Sequence, residues 1–510
     1  MKIKSNINLN QKYQELLNLI FTNNRGFVIR TPTNLYPEEI NEKLLQQLWA
    51  GRLFLHNPLK TASNKLLEII NPGRWNKEAG PDFINAQLKI GDKIIKGDVE
   101  IHILSSDWKN HKHQENPQYQ NVILHIIYKN DLNFATVKGF MDNPIEQLEL
   151  SDIVNQNKES LPEFLSMDEY TFKTKFYPGL CSQNILSHPE NEISEMLEIS
   201  GGVRIENKIN RFHKQLEGEN YDQVLYQSLM TAMGYKSSKH LFFLLSKRVP
   251  YKEVKEFTKL KSEKESIFFI QALLMNVANL IRFERMKHSL DDDTQIYLNK
   301  QNEIWSGIAS IYSDRIIPAS KGWFVSVRPP NFPMRRIAGI SYILARTKDK
   351  GIFLSLFETV KDVLSKFSNN EINKLEENLI DIFSTKLDDY WTHRFSLNGK
   401  KTKNPVSLIG EDRAYSIILN CLFPLIIIYA RNTNLPDIEN KIQELYKHFH
   451  FEQENVITRF MKQRLLGQDK QKRKLVDTFI KQMGLFQIFF DCCNSEETTC
   501  DRCTFGLSYQ

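Results

Sequence analysis

The sequence predicts an α+β protein in which a mixed β-sheet domain with flanking helices precedes a mostly α-helical region and a short cysteine-rich tail. Three features carry this prediction. Short apolar runs between residues 83 and 140 are separated by Gly, Asp and Asn, which is typical of strands and turns. Apolar residues three and four positions apart dominate the chain beyond residue 190. Four of the six cysteines lie within the last 19 residues.

The composition is that of a globular protein. Hydrophobic residues make up 41% and charged residues 25% of the 510-residue chain, which disfavours a disordered or a membrane protein. A chain of this length exceeds one hydrophobic core, so we predict several domains. The predicted divisions are an N-terminal helical segment at 1–36, an α/β domain at 37–160, a linker or wrapping segment at 161–190, a helical domain at 191–490 and the cysteine-rich tail at 491–510.

The apolar and charged segments bear on location and partners. The N-terminal residues contain no apolar segment of the signal-peptide type, so we expect a cytoplasmic protein. The longest apolar stretch, residues 416–430, is shorter than the roughly 20 residues of a membrane-spanning helix, and we predict a buried helix there. The net charge of +6 permits a polyanionic partner such as DNA or RNA without requiring one. No oligomeric state is predicted.

Individual elements follow from the spacing of the apolar residues. Helical spacing predicts two helices before the sheet, at 11–21 and 37–54. Strands are predicted at 83–91, 93–104, 121–130 and 134–140. Residues 161–190 contain three prolines and no regular spacing of apolar residues, which indicates a boundary or wrapping segment. Beyond it, helices are predicted at 192–218, 222–235, 266–287 and 439–451, and these are expected to form a bundle.

Carboxylates and a histidine are predicted to lie together on the sheet. Because alternate residues of a strand share a face, Asp98, Glu100 and His102 should project from one side of the second strand. Asp82 lies at the start of the preceding strand, and pairing would bring it beside Glu100. An acidic pair suits Mg²⁺ or Mn²⁺, which polarise a phosphoryl oxygen and activate water, so the arrangement favours phosphodiester hydrolysis. The competing interpretation is a solvated strand face.

Further titratable residues surround these strands. The supporting candidates are Glu78, Asp98, His111, His113 and His125. His111 and His113 form a His-x-His run, which could bind Zn²⁺ or another transition metal. The alternative for His111 is packing over the sheet together with Trp108 and Tyr119. His125, flanked by apolar residues, is equally interpretable as a buried core histidine.

The tail predicts a second kind of metal site. Cys500 and Cys503 have the Cys-x-x-Cys spacing of a tetrahedral thiolate site, and Cys492 and Cys493 could complete it. The expected ion is a structural Zn²⁺. Two adjacent cysteines make an awkward chelate, so one of that pair is expected to be spare, and reduced thiols without metal are the alternative.

Basic residues in the helical region favour a nucleic-acid surface. In "RPPNFPMRR", three prolines hold an extended segment that is flanked by Arg328, Arg335 and Arg336. Arginines neutralise phosphates without reading base sequence, so these three are the predicted nucleic-acid contacts. Contacts with a carboxylate or with the core of the bundle are the alternatives.

Several long motifs resemble those of a bacterial family of uncharacterised proteins, domain of unknown function 2851. They include "NPGRWNKEAGPDF", "GDVEIH", "DWKNHKH", "GGVRIENKINRF" and "RPPNFPMRRIAGIS", so the resemblance extends over nearly the whole chain. The family implies no established activity.

A second resemblance implies chemistry. Pro81-Asp82 followed by a strand with Glu100-Ile101-His102 is similar to the PD-(D/E)XK nuclease superfamily. That resemblance implies that Asp82 and Glu100 bind metal, with the Ile101 carbonyl as a further ligand. The sequence departs from the superfamily because His102 stands where a lysine is expected. Residues 105–119 are also short for the helix that the superfamily usually has there.

Three functions remain as hypotheses. The leading one is a metal-dependent nuclease with a nuclease-like sheet domain, in which Asp82 and Glu100 hold Mg²⁺ or Mn²⁺ and His102 orients or deprotonates water. The second is a non-catalytic nucleic-acid-binding or scaffold protein that retains the sheet. The third is a zinc or transition-metal hydrolase that uses the histidines on a small molecule.

Overall fold

The structure is a computed structural model, which divides the chain into two compact units. It describes residues 9, 11–13, 15, 40, 42–50, 59–76, 79–157, 178–179, 181–234, 238–281, 290–317, 323–324, 327–366, 371–384, 389–450 and 454–493. Tyr36–Lys175 forms the sheet unit, and Met1–Leu35 together with Phe176–Gln510 forms the helical unit. The N-terminal segment thus belongs to the same unit as the C-terminal helices.

Within the described residues, the sheet unit combines eight strands with three helices. In chain order they are α1 (Glu42–Ala50), β1 (Leu59–Lys60), β2 (Leu66–Asn71), β3 (Arg74–Trp75), β4 (Phe83–Ile90), β5 (Lys93–Leu104), α2 (Asp107–Asn110), β6 (Val122–Lys129), β7 (Thr136–Lys138), β8 (Pro144–Glu149) and α3 (Ser151–Asn157). Short 3₁₀ turns cover His113–Glu115, Pro117–Tyr119 and Phe140–Asp142.

All eight strands belong to one mixed sheet. The strand order is β1-β2-β4-β5-β6-β8-β7, and β3 pairs with β4. Pairing is antiparallel from β1 to β5 and between β7 and β8, whereas β5–β6 and β6–β8 are parallel. Parallel neighbours need a crossover connection, which residues 105–121 (the crossover) supply. The predicted mixed sheet is confirmed, and β1, β2, β3 and β8 are additional to the predicted strands.

The crossover packs against one end of the sheet. Its anchor is Trp108, which forms a buried apolar cluster with Tyr119 and with Val122, Val137 and Ile145 of the last three strands. The Trp108 Nε1 also donates to the Lys138 carbonyl at 2.9 Å. Burial of a tryptophan stabilises a fold by a few kcal/mol, about 3–5 when it is truncated to alanine, so this anchor holds the crossover in place.

The rest of the chain forms the helical unit. Its helices are α4 (Cys181–Ser187), α5 (Glu190–Gln215), α6 (Tyr221–Met233), α7 (Lys239–Arg248), α8 (Tyr251–Thr258), α9 (Glu263–Val277), α10 (Asp292–Ser306), α11 (Ala309–Tyr312), α12 (Pro333–Arg346), α13 (Ile352–Lys366), α14 (Ile372–Asp381), α15 (Glu411–Ile417), α16 (Phe423–Thr433), α17 (Pro436–His448), α18 (Val456–Leu466), α19 (Lys470–Arg473) and α20 (Phe479–Ile488). The predicted α+β class is therefore confirmed.

Local signals explain the bounds of these helices. Helix α9 begins at a capping box, in which the Ser262 hydroxyl accepts from the Glu265 amide while the Glu265 carboxylate accepts from the Ser262 amide. It ends at Val277, ten residues before the predicted end at 287, because Asn279 adopts a left-handed conformation with φ of 56°. Residues 282–289 lie outside the described ranges.

Helices α5 and α20 approach each other closely because two glycines face the neighbouring backbone. A Cβ atom on Gly201 would lie 1.9 Å from the Ile480 carbonyl oxygen, and one on Gly484 would lie 2.1 Å from that of Leu197. Neither position therefore tolerates a side chain without a shift of the backbone.

One helix in the described ranges is long and apolar enough to cross a membrane. It runs from Glu411 to Thr433, through α15, a π-helical turn and α16, and its most apolar window has a mean hydropathy of 1.7. However, 78% of that window is buried inside the fold. The buried helix predicted from residues 416–430 is confirmed, and the cytoplasmic location stays a prediction.

Candidate metal centre

The hairpin of β4 and β5 places the predicted carboxylates. Between Phe83 and Ala86 the pairing with β5 shifts register, so that β4 has an extra residue, and Asn85 adopts φ of 59°. The Asn85 amide donates to the Asp98 carboxylate at 3.0 Å. The carboxylate of Asp98, predicted as a supporting site residue, therefore accepts a hydrogen bond from the backbone of this bulge.

Asp82 and Glu100 are held together by two hydrogen bonds. The Asp82 amide donates to Glu100 Oε2 at 3.0 Å, and the Ile101 amide donates to Asp82 Oδ2 at 3.0 Å. Gln46 of α1 donates to Asp82 Oδ1 at 2.7 Å. The side chain of Asp82 is half-buried, whereas that of Glu100 is only 6% exposed. The structure thus brings the predicted pair side by side.

The surroundings of Glu100 disfavour its charged form. Burial raises the pKa of Glu100 well above its usual value, and the negative charges of Asp82 and of Glu42 on α1 raise it further. A cation beside these carboxylates would relieve both effects, since it stabilises the ionised form.

Four imidazoles, the histidine cluster, lie next to Glu100: His102, His111, His113 and His125. His102 is at its centre. Its Nε2 lies 3.2 Å from His111 Nδ1 and 3.3 Å from His113 Nε2, and its Nδ1 lies 2.9 Å from His125 Nε2. Glu100 Oε1 lies 3.4 Å from His102 Nε2 and 3.5 Å from His113 Nε2. His111 is exposed, and the other three are buried.

The crossover orients two members of the cluster through one left-handed residue. Lys112, between His111 and His113, has φ of 58° and ψ of 34°. This reversal of the backbone turns both rings toward His102. A left-handed lysine costs about 1–2 kcal/mol, and such strain concentrates at functional sites.

His113 is held by stacking more than by hydrogen bonds. Its ring stacks on Tyr119 with a centroid distance of 3.9 Å and lies parallel to His102 with an interplanar angle of 12°. Its Nδ1 is buried and has no hydrogen-bond partner among the described residues. The polar contacts of this imidazole are therefore made by Nε2, toward His102 and Glu100.

A row of polar side chains crosses the three parallel strands behind His102. Glu100 is paired in register with His125, and His125 with Gln147 of β8. His125 Nδ1 lies 3.2 Å from Gln147 Oε1, which also accepts from the Ser105 hydroxyl at 2.6 Å. Gln147 Nε2 donates to the Phe134 carbonyl at 2.6 Å. His125 is thus a satisfied buried histidine that also contacts the cluster.

The buried imidazoles are neutral at physiological pH. Burial, with repulsion from the other rings, lowers the pKa of His102 to about 2 and that of His113 to about 4. Burial also lowers the pKa of His125 to about 3. Neutral imidazole has a free lone pair, which is the form that binds metal. Together, one nitrogen each from His102, His111 and His113 could hold a metal ion, since all three lie within 4.8 Å of one another.

Sequence reasoning did not identify four residues of this region. They are Glu42, Gln46, Ser105 and Gln147. Gln147 is fully buried in β8, and a polar residue within "IEQLEL" was the available signal. The other three are brought in by the fold through α1 and the end of β5, and no local pattern marks them.

The other predicted site residues lie elsewhere or beyond the described ranges. Glu78, Cys500 and Cys503 are outside the described residues. Cys492, which is buried, and Cys493 lie in a π-helical turn that follows α20 in the helical unit. The zinc site of the tail therefore stays a prediction.

Two of the three predicted nucleic-acid contacts are buried in the helical unit. Arg335 is 2% exposed, and its guanidinium donates to the carbonyls of Arg394, Val406 and Ser407. Arg336 is also buried and donates to Asn331. Neither guanidinium is free to reach a phosphate in this conformation, because α12 places both in the core, which was the alternative interpretation. Arg328 is exposed.

Comparison with known proteins places the chain in a family. Comparisons with curated proteins and with solved structures give no match. The family described as "Protein of unknown function (DUF2851)" matches residues 42–455, which include the whole site and most of the helical unit. Because this match covers well over half of the 510 residues, the chain belongs to the DUF2851 family.

Proposed function

We propose that the sheet unit is a metal-dependent nuclease that hydrolyses phosphodiester bonds of DNA or RNA. The observation that carries the proposal is the pair of hydrogen bonds that joins Asp82, at the start of β4, to Glu100 and Ile101 on β5. The two residues that the PD-(D/E)XK resemblance implies as metal ligands thus lie side by side, and His102 is the immediate neighbour of Glu100. A divalent ion bound there, such as Mg²⁺ or Mn²⁺, would polarise the phosphoryl group and activate water.

The residues of the site have separate roles in this proposal. Glu100 supplies a carboxylate oxygen to the ion through Oε1, because Oε2 is engaged by the Asp82 amide. Asp82 holds the β5 backbone in place through the Ile101 amide and adds negative charge beside the ion. His111, the exposed member of the cluster, lies on the side of the site that solvent can reach.

The presence of His102, where the resembled superfamily has a lysine, is compatible with this chemistry. His102 is 2% exposed and its Nε2 lies against Glu100 and two other imidazoles, so it is placed to bind or orient and not to act as a mobile base. The proposal therefore gives His102 the role of orienting the water or binding the ion.

The test is cleavage of mixed single- and double-stranded DNA and RNA with Mg²⁺, Mn²⁺ or Zn²⁺. We expect Glu100→Gln and Asp82→Asn to lower the rate by at least about 100-fold, because each weakens metal binding and the activation of water. Glu68→Gln is the matched control, since Glu68 is an exposed residue of β2 in the same sheet. Equal cleavage by all four proteins would refute the proposal.

Binding without cleavage would support the scaffold alternative instead. In that case the full chain would retain DNA or RNA with an affinity that falls steeply with salt, and no product would form with any of the three metals.

The histidine cluster favours a second candidate function, a transition-metal hydrolase acting on a small molecule. Three nitrogen donors are more typical of zinc hydrolases than of magnesium nucleases. Activity on small phosphate or carboxylate esters, with inert nucleic acids, would favour this candidate over the nuclease.

A further inference from the structure

The hydrogen-bond chain behind His102 determines which of its nitrogens carries a proton. The Phe134 carbonyl can only accept, so the Gln147 amide nitrogen faces it and Gln147 Oε1 faces His125. His125 Nδ1 must then be the donor, which leaves a lone pair on His125 Nε2. His102 Nδ1 donates to that lone pair at 2.9 Å.

The consequence is a free lone pair at the centre of the cluster. A neutral imidazole whose Nδ1 carries the proton has its lone pair on Nε2. In His102 this atom faces His111 Nδ1, His113 Nε2 and Glu100 Oε1, all within 3.4 Å. The three histidine nitrogens thus lie within 4.8 Å of one another, and Glu100 Oε1 lies beside two of them.

The separations fit one transition-metal ion. Zn–N bonds of about 2.0–2.1 Å in a tetrahedral site hold ligand atoms about 3.3–3.4 Å apart. The distances from His102 Nε2 to the other two histidine nitrogens are 3.2 and 3.3 Å, and those from Glu100 Oε1 to the nitrogens of His102 and His113 are 3.4 and 3.5 Å. These four separations match the spacing of zinc ligands, and the nitrogens of His111 and His113 lie within 4.8 Å of each other.

We propose that His102, His111 and His113 form a three-histidine centre for Zn²⁺ or a similar transition-metal ion, and that His125 and Gln147 are its positioning residues. A set of three nitrogens selects against Mg²⁺, which prefers oxygen ligands. Glu100, whose Oε1 lies beside His102 and His113 only, is the partner of a water bound to the ion. The exposed side at His111 leaves access for solvent, as in catalytic zinc sites with three protein ligands.

This centre deepens the proposed function by replacing Mg²⁺ with a transition-metal ion at the same site, and it can be tested by metal binding alone. If the ion binds and no phosphodiester is cut, the nuclease proposal fails and the centre remains. If cleavage needs Mg²⁺ and is unaffected by the histidines, the centre fails and the nuclease proposal remains.

The experiment is titration of the chelator-treated full chain with Co²⁺, followed by displacement with Zn²⁺. We expect one ion per chain at this centre, with the visible absorption of tetrahedral Co²⁺ and no thiolate charge-transfer band. The absence of that band separates the histidine centre from the cysteines of the tail. A Cys500→Ser, Cys503→Ser background provides the second check.

Variants separate ligands from positioning residues. His111→Gln and His113→Gln should weaken binding about 100-fold, and Gln147→Leu should weaken it about 10- to 100-fold through His125. Gln147→Glu keeps an acceptor for His125 Nδ1 and should retain most of the affinity. His448→Gln is the control, because His448 is an exposed histidine of the helical unit paired with Glu444.

His111 is exposed, so its variant is expected to fold even if a buried variant does not. Two results would overturn the proposal: a wild-type chain that binds no Co²⁺ or Zn²⁺, or a His111→Gln variant that binds as tightly as wild type.

Discussion

Lys112 offers a sharp test of how the crossover builds the centre. The residue is exposed, and its left-handed conformation turns His111 and His113 toward the same neighbour. Lys112→Gly and Lys112→Val both remove the same charge. They differ in whether the new residue accepts φ of 58°, since glycine does so freely and a β-branched residue does not.

The expected magnitudes follow from that difference. Glycine removes a left-handed strain of about 1–2 kcal/mol but adds about 0.4–1 kcal/mol of unfolded-state entropy, so the variant should be unchanged or slightly more stable. Valine should add about 1–2 kcal/mol of strain, which the chain relieves by moving the two histidines apart. At about 1.4 kcal/mol per tenfold in affinity, metal binding should weaken by about 5- to 30-fold.

Competition with a chromophoric chelator measures the affinity of each variant for Zn²⁺ in the full chain. Urea unfolding of the metal-free proteins gives the accompanying change in stability. If the Lys112→Gly and Lys112→Val variants bind Zn²⁺ equally well, the left-handed backbone at this position does not set the position of the two histidines, and the prediction is refuted.

Three further predictions concern stability. Gly484→Ala should destabilise the helical unit by about 3 kcal/mol, because its Cβ would meet the Leu197 carbonyl. Gly218→Ala is the control, since a Cβ there would lie in open space, and it should change stability by no more than about 0.5 kcal/mol. Urea unfolding followed by circular dichroism measures both changes. Arg335→Met should lower the unfolding free energy by about 3 kcal/mol, because it leaves buried carbonyls unpaired, and exposed Arg328→Met is its control. If the two variants of either pair lose equal stability, the explanation given for that pair is contradicted.

The third prediction is that the stability of the metal-free sheet unit depends on pH. The three buried histidines have lowered pKa values, so the unfolded chain binds their protons below about pH 6.5 while the folded chain does not. The raised pKa of Glu100, which burial causes, opposes this by at most one proton. Unfolding should thus take up about two protons between pH 5 and 6, so stability falls by about 2–3 kcal/mol per pH unit on acidification. Pulse proteolysis in urea with a chelator, followed through peptides from residues 83–129, measures how the unfolding free energy of the sheet unit changes with pH. An unfolding free energy that does not change with pH would contradict the prediction.

The sheet illustrates what a local pattern predicts. The runs at 83–91, 93–104 and 121–130 are long, apolar and bounded by turn residues, and they become β4, β5 and β6. The two-residue strands β1 and β3 are too short to show a period of two. Strand β8 begins with a proline and carries Gln147 among its apolar residues, so its signal is ambiguous without its neighbours.

The site depends on features of longer range. Glu100 and His102 were identifiable because two residues on one strand face share a local spacing. Asp98 obeys the same spacing, but its carboxylate accepts a hydrogen bond from the bulge at Asn85, which belongs to the other strand. The contact between His102 and His125 depends on parallel pairing across a crossover, and a single sequence does not contain that register.

The histidine at position 102 and the His-x-His run are best understood as one arrangement. A lysine at this position would bury an ammonium among three imidazoles, and a protonated amine has no lone pair to offer a metal. Histidine instead anchors its Nδ1 on His125 and presents Nε2 to His111 and His113. The departure from the PD-(D/E)XK pattern therefore does not by itself argue for an inactive site. If the proposed centre binds an ion, we expect nitrogen donors from the crossover to take over part of the metal binding that carboxylates perform in the superfamily that the motif resembles.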